Sequence, residues 1–154
     1  GDTLTEAFYL SWLATEQSIK GKDIFVSIAD EAKHKIRDEI RLLHTQGWKF
    51  HATAGTHEYL KRYGVPSIKL FRLSDNKEPT IETAIKNRKI DLVLNVPSPS
   101  VGNGDASKIR RLAIDHHIPL VTNAETSKLL LRCFAKLDPK KLQPRSWQEF
   151  VEEK

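Results

Sequence analysis

The chain has no methionine and a single cysteine, Cys133. One thiol excludes an intrachain disulfide and a thiolate metal cluster. Its setting, Leu129-Leu-Leu-Arg-Cys-Phe134, places it in the core of a helix rather than in the role of a nucleophile. No apolar run approaches the ~20 residues of a membrane span. The start Gly1-Asp-Thr3 is polar and unbasic, which is not the pattern of a signal peptide. A start other than methionine, in a chain without any, is expected of a piece cut from something longer. Charge of one sign is also scarce: 25 Lys and Arg against 20 Asp and Glu leave +5, with no long basic run. No basic stripe carries interleaved aromatics, so neither nucleic acid nor a membrane is expected as a partner.

The usual signatures of catalysis and of cofactors are missing as well. His34, His44, His51, His57, His116 and His117 show no His-x-x-x-His pairing with a carboxylate, and no metal site is expected. There is no Gly-x-Ser-x-Gly elbow, no Walker P-loop and no Gly-x-Gly-x-x-Gly fingerprint.

What remains is an ordinary globular composition, 39% hydrophobic and 29% charged, in 154 residues, enough for one domain with a real core. Short apolar runs at 24–28, 48–52, 67–73, 90–94 and 118–121 read as buried strands. Helical spacing or helix signals separate them, with Asp30 and Asp105 as candidate caps, Thr80 as the start of a short helix and Gly47 as a stop. Helices are expected to Gly47, over 53–62, 80–88, 105–117 and 126–135. Such alternation predicts a single doubly wound α/β domain with a parallel sheet and right-handed crossovers. An N-terminal linker helix (1–20) would precede the domain (21–138), and a tail (139–154) with a short helix from Trp147 would follow. In the first helix Phe8, Tyr9, Leu10, Trp12 and Leu13 are too many for one face, so part of it is expected to pack outside the chain or against a second copy.

The chemistry-bearing residues gather at predicted strand ends, where an α/β sheet opens its ligand crevice. Lys33 opens a helix, where backbone amides already favour an anion. The plain alternative is a surface lysine. Thr53-Ala-Gly-Thr56 offers two hydroxyls around Gly55, which lets a ligand approach the backbone; such residues also cap helices without binding anything. Asn95 follows an apolar strand, as a ligand contact or as an Asx turn into Pro97. Ser98 and Ser100 lie in the breaker-rich loop 97–104, and Lys108 leads the segment Lys108-Ile-Arg-Arg-Leu-Ala113. A lysine, two hydroxyls and a carboxamide suit a phosphate or small polar anion.

The ordered set of Lys33, Ala52-Thr-Ala-Gly-Thr56, Ile90-Asp-Leu-Val-Leu-Asn95, Ile109-Arg-Arg-Leu-Ala113 and Ile118-Pro-Leu-Val-Thr-Asn123 resembles the methylglyoxal-synthase-like domain. It is most similar to the form of that domain at the C-terminal, regulatory end of carbamoyl phosphate synthetase large chains. The stretch Glu6-Ala-Phe-Tyr-Leu-Ser-Trp-Leu-Ala14 is similar to the helix joining that domain to the synthetase. The resemblance covers residues 5–135. It implies a five-stranded parallel sheet flanked by helices, with effectors bound at the strand C-terminal edge. It assigns phosphate contacts to Lys33, Thr53 and Thr56, and further contacts to Asn95, Ser27 and Arg72.

Departures sharpen the expectation. Methylglyoxal synthases carry histidines where Ala29 and Gly102 stand here, and an acidic catalytic residue where this chain has Asn76-Lys-Glu-Pro79. Without the histidines, Asp105 and Glu78 are carboxylates lacking an electrophilic partner. Arg72, Ser98 and Ala106 replace an aromatic and two amides of synthetases activated by N-acetylglutamate, which favours a nucleotide effector. The resemblance therefore implies a non-catalytic allosteric domain, without cofactor of its own, that binds a UMP- or IMP-type effector. The parent would be a glutamine-dependent ligase using ATP with Mg or Mn, serving pyrimidine or arginine biosynthesis. Its partners would be the other synthetase domains and a glutamine amidotransferase subunit, in the cytoplasm or, for a urea-cycle enzyme, the mitochondrion. The rivals are a phosphate lyase acting on dihydroxyacetone phosphate and an oligomerisation domain with a vestigial pocket.

Overall fold

A computed structural model describes residues 3–15, 19–98 and 104–138. Ser100, Gly102 and the tail from 139, with its helix from Trp147, lie outside the described residues.

Five parallel strands form one sheet in the order β3-β2-β1-β4-β5. They are β1 (Asp23–Ile28), β2 (Lys49–Ala52), β3 (Ile68–Lys69), β4 (Leu92–Val96) and β5 (Leu120–Val121). The helices are α1 (Leu4–Ala14), α2 (Lys33–Thr45), α3 (Ala54–Arg62), α4 (Ile81–Lys86), α5 (Gly104–Asp115) and α6 (Ala124–Lys136). Side chains alternate across the pleat, which divides each central strand between two cores. Ile24, Val26 and Ile28 of β1 join Leu92, Leu94 and Val96 of β4 against Ile36, Ile40 and Leu43 of α2 and Leu130 and Leu131 of α6. Phe25 and Val93 face the other way, against Ala84 and Ile85 of α4 and Ile109 and Ala113 of α5. Ser27 and Asn95 follow on that second side, at the strands' C-terminal ends.

Element ends differ from expectation where tertiary pairing overrides local signals. β3 is only two residues long, because its partner β2 stops at Ala52 and offers just His51 and Ala52 for pairing. The chain then swings away, and the Phe71 N–H reaches Pro79 O at 2.8 Å. β4 runs two residues further than its apolar stretch, since Ser27 and Ile28 of β1 pair with Asn95 and Val96. α6 starts two residues early, because Asn123 accepts the Thr126 N–H at 3.0 Å. Asp30 does not cap α2; it opens a 3-10 turn, Asp30–Ala32, and pairs with Lys33 instead. Asp105 lies inside the first turn of α5 and faces Arg72. Thr80, expected as the first residue of a helix, is the cap of α4, accepting from Thr83 N.

Within the chain, α1 finds cover that its composition did not suggest. Tyr9 and Trp12 meet Phe134 of α6 edge-on at 6.1 Å each, and Phe134 stacks on Trp48 at 5.1 Å. Tyr9 is buried, and Phe8, Trp12 and Leu13 are partly buried against the same core. Leu4, at 77% exposure, is the apolar side chain left outward at the helix start. Cys133 is buried, as expected of a core residue.

Candidate functional site

The winding of the sheet reverses between β1 and β4, and a crevice opens there at the strands' C-terminal ends. The cavity holds about 980 Å³, at the upper end of small-molecule sites. All eight residues singled out from the sequence line it: Ser27, Lys33, Thr53, Gly55, Thr56, Arg72, Asn95 and Ser98.

Three of them form the floor. Ser27 and Asn95 are paired positions on β1 and β4. Thr53, which precedes α3, brings its Oγ1 to 3.4 Å from Ser27 Oγ. Asn95 is buried and donates from Nδ2 to Ala106 O at 3.1 Å, tying the start of α5 to the sheet. It therefore sits inside a strand and not in an Asx turn.

Lys33 and the start of α3 form one wall. The lysine is only 7% exposed. Its ammonium lies 6.0 Å from the centre of the Tyr59 ring and would stand 3.4 Å from a methyl group added at Gly55. Glycine thus leaves the helix start open on the side where the cation lies. Thr53 makes no capping bond to the first turn of α3, so the free amides of that turn keep no side-chain acceptor. Thr56 is buried, and its Oγ1 accepts the Ile28 N–H at 3.2 Å. That bond anchors α3 to β1 and leaves the hydroxyl proton available.

The rim is charged on both sides. Arg72, 71% exposed, brings Nε to 3.5 Å from Asp105 Oδ2. Ser98 donates to Glu31 Oε1 at 2.8 Å. Lys33 pairs with Asp30, whose carboxyl is held below the ordinary carboxylate range by the lysine's hydrogen bond and charge. Lys108 lines the cavity from α5. Lys69 and Lys77 also line it, their ammoniums 5.0 and 5.8 Å from the centre of the Phe71 ring. The sequence reading missed these two. Lys69 obeys the same strand-end rule as Lys33, but a third strand drawn through to Leu73 hid it.

Among the described residues, no group of three or more His, Cys, Asp or Glu side chains could hold a metal ion. No helix among them is long and apolar enough to cross a membrane. His51 pairs with Asp23 at 2.9 Å and His57 with Ser67 at 2.6 Å, both away from the crevice. Beside the carboxylates of Asp30, Glu31, Asp75 and Asp105, the site offers cations, hydroxyls and amides, the donor set for an anion.

Comparison with known proteins matches this architecture. A solved methylglyoxal synthase from Elizabethkingia anophelis superposes with a TM-score of 0.60 over 85% of this chain and 90% of that one, at 15% identity. The carbamoyl phosphate synthase large chain of Thermoplasma volcanium is 35% identical over 115 residues, 74% of this chain. That of Thermoplasma acidophilum is 36% identical over 129 residues, 83% of this chain. The chain spans 11% and 12% of the length of these two relatives. The family model of the MGS-like domain matches residues 35–122, more than half of the sequence. The chain belongs to the MGS-like domain family.

Proposed function

We propose that this domain is the allosteric regulatory part of a carbamoyl phosphate synthetase large chain and binds a phosphorylated effector in the crevice. The observation that carries the reading is the buried Lys33 ammonium beside the uncapped start of α3. A cation there opposes the positive end of the helix dipole, an arrangement relieved by an anion between them. A phosphate at that point would meet Lys33, the first-turn amides beside Gly55, and the hydroxyls of Thr53 and Thr56. Ser27 and Asn95 form the floor beneath it. Arg72 and Ser98, on the rim, would meet the remainder of a nucleotide of the UMP or IMP type.

Two features speak against proton abstraction. Ala29 offers a methyl group where the lyase needs an imidazole. Glu78 is engaged, accepting from Thr80 N and Thr83 Oγ1. The rival lyase would release methylglyoxal from dihydroxyacetone phosphate, which a direct assay detects.

Regulation follows if the effector prefers one conformation of the whole synthetase. The outer side of α1, where Leu4 is exposed, is the contact proposed for a neighbouring synthetase domain, or for a second copy when the domain is isolated. A thermal-shift panel of UMP, IMP, phosphoribosyl pyrophosphate, ornithine and N-acetylglutamate tests the reading, because a ligand of the native state raises Tm by mass action. A nucleotide monophosphate should stabilise the domain and acetylglutamate should not. Stabilisation by acetylglutamate alone would contradict the nucleotide assignment.

A further inference from the structure

We infer that Asp30 is a built-in competitor for the anion position, its carboxylate occupying the Lys33 ammonium until a phosphate displaces it. The inference rests on the crevice being a phosphate site. Asp30 and Lys33 stand three residues apart across the 3-10 turn Asp30–Ala32, a spacing that lays one side chain over the other. With no capping bond to make, the carboxylate is free to take the ammonium, and does so.

Burial separates the two partners sharply. The Lys33 side chain is 8% exposed, whereas that of Asp30 is 93% exposed. Lys33 lies enclosed in the wall, its ammonium facing the Tyr59 ring and the start of α3. Asp30 reaches in from water and can return there without losing hydration. The pair with Asp30 is the only ion pair of Lys33 among the described residues. An ammonium so enclosed needs an anion, and a displaceable one answers that need while the site is empty.

Two cations act on an anion at this point. Asp30's carboxyl is pulled below the ordinary range first by the hydrogen bond from Lys33 and by its charge, and more weakly by the charge of Arg62. A phosphate group in the same place would meet the same two cations and, unlike Asp30, the amides of α3 as well. Ser98 with Glu31 and Arg72 with Asp105 repeat the pattern at the rim. Three expected ligand contacts are thus held by the chain's own acids.

Calorimetric titration with inorganic phosphate and with UMP, at low ionic strength, tests the competition in wild type, Asp30→Asn, Lys33→Ala and the double variant. Asp30→Asn should bind both probes about fivefold more tightly, the scale of a partly exposed ion pair. Its ligand-free Tm should fall, and the gain in affinity should vanish in the double variant. A purely structural Asp30 would lower Tm without tightening binding. Unchanged or weaker binding by Asp30→Asn, with Lys33→Ala still weakening binding, would overturn the competitor role and leave the phosphate reading intact. Absence of saturable binding of either probe by wild type and Asp30→Asn alike would overturn the phosphate reading itself, and the competitor with it.

Discussion

Ser27 and Asn95 face each other as paired residues of β1 and β4, the two strands between which the winding of the sheet reverses. Their neighbours inward along the strands, Phe25 and Val93, belong to the core under α4 and α5. One residue pair therefore marks where core packing stops and the polar crevice begins.

Asn95 serves the fold as well as the crevice. Replacing it by alanine removes the donor to Ala106 O and leaves that carbonyl without its side-chain partner. Loss of this part-buried bond should cost about 0.5–1.5 kcal/mol. Urea denaturation should show a lower midpoint with an unchanged slope. An unchanged midpoint would mean that the bond between Asn95 and the start of α5 contributes nothing.

Gly55→Ala separates binding from stability. Gly55 lies in the first turn of α3, and an added methyl would meet Lys33 Nζ at 3.4 Å, an ordinary contact. Alanine is the better helix former by up to ~1 kcal/mol, so Tm should hold or rise. Affinity for a phosphorylated ligand should fall, because the methyl stands between the amides and the cation. A variant that binds as well as wild type would show that the ligand does not approach this turn.

Much of the crevice was legible because its residues obey one positional rule. Thr53 and Asn95 each follow an apolar run and Lys33 opens the helix after one, and in a parallel sheet such ends converge on one edge. What resisted reading depends on distant partners. Nothing near Asn95 in the chain announces that Ser27 will draw it into β4. The pairing of Asp30 with Lys33 was masked by a plausible alternative, since an aspartate before a helix is the usual cap. The shortness of β3 follows from where β2 ends. The cover for α1 comes from Phe134, more than a hundred residues away, and helical spacing within α1 carries no sign of it.

Cys133 gives a pH test. Burial pushes its thiol up to about 11 from an ordinary 9.0. The folded state holds the proton more tightly than the unfolded state, so the stability tied to it is fully present below pH 9 and is lost as pH rises toward 11. At pH 8 the thiolate fraction should be lower by about 100-fold than in an open chain, tenfold for each pH unit. Iodoacetamide should therefore label the native protein at least that much more slowly than the urea-unfolded protein. Equal labelling rates would place Cys133 at the surface.

The most direct measurement is a calorimetric titration of UMP into the wild-type domain and into Lys33→Ala. A buried ammonium that bonds a phosphate should be worth ~1.5–3 kcal/mol, the scale of a hydrogen bond to a charged group. The wild type should bind one equivalent saturably, and the variant should bind at least tenfold more weakly with its fold intact by circular dichroism. Equal affinities for the two proteins would contradict the assignment of Lys33 and the start of α3 as the phosphate site.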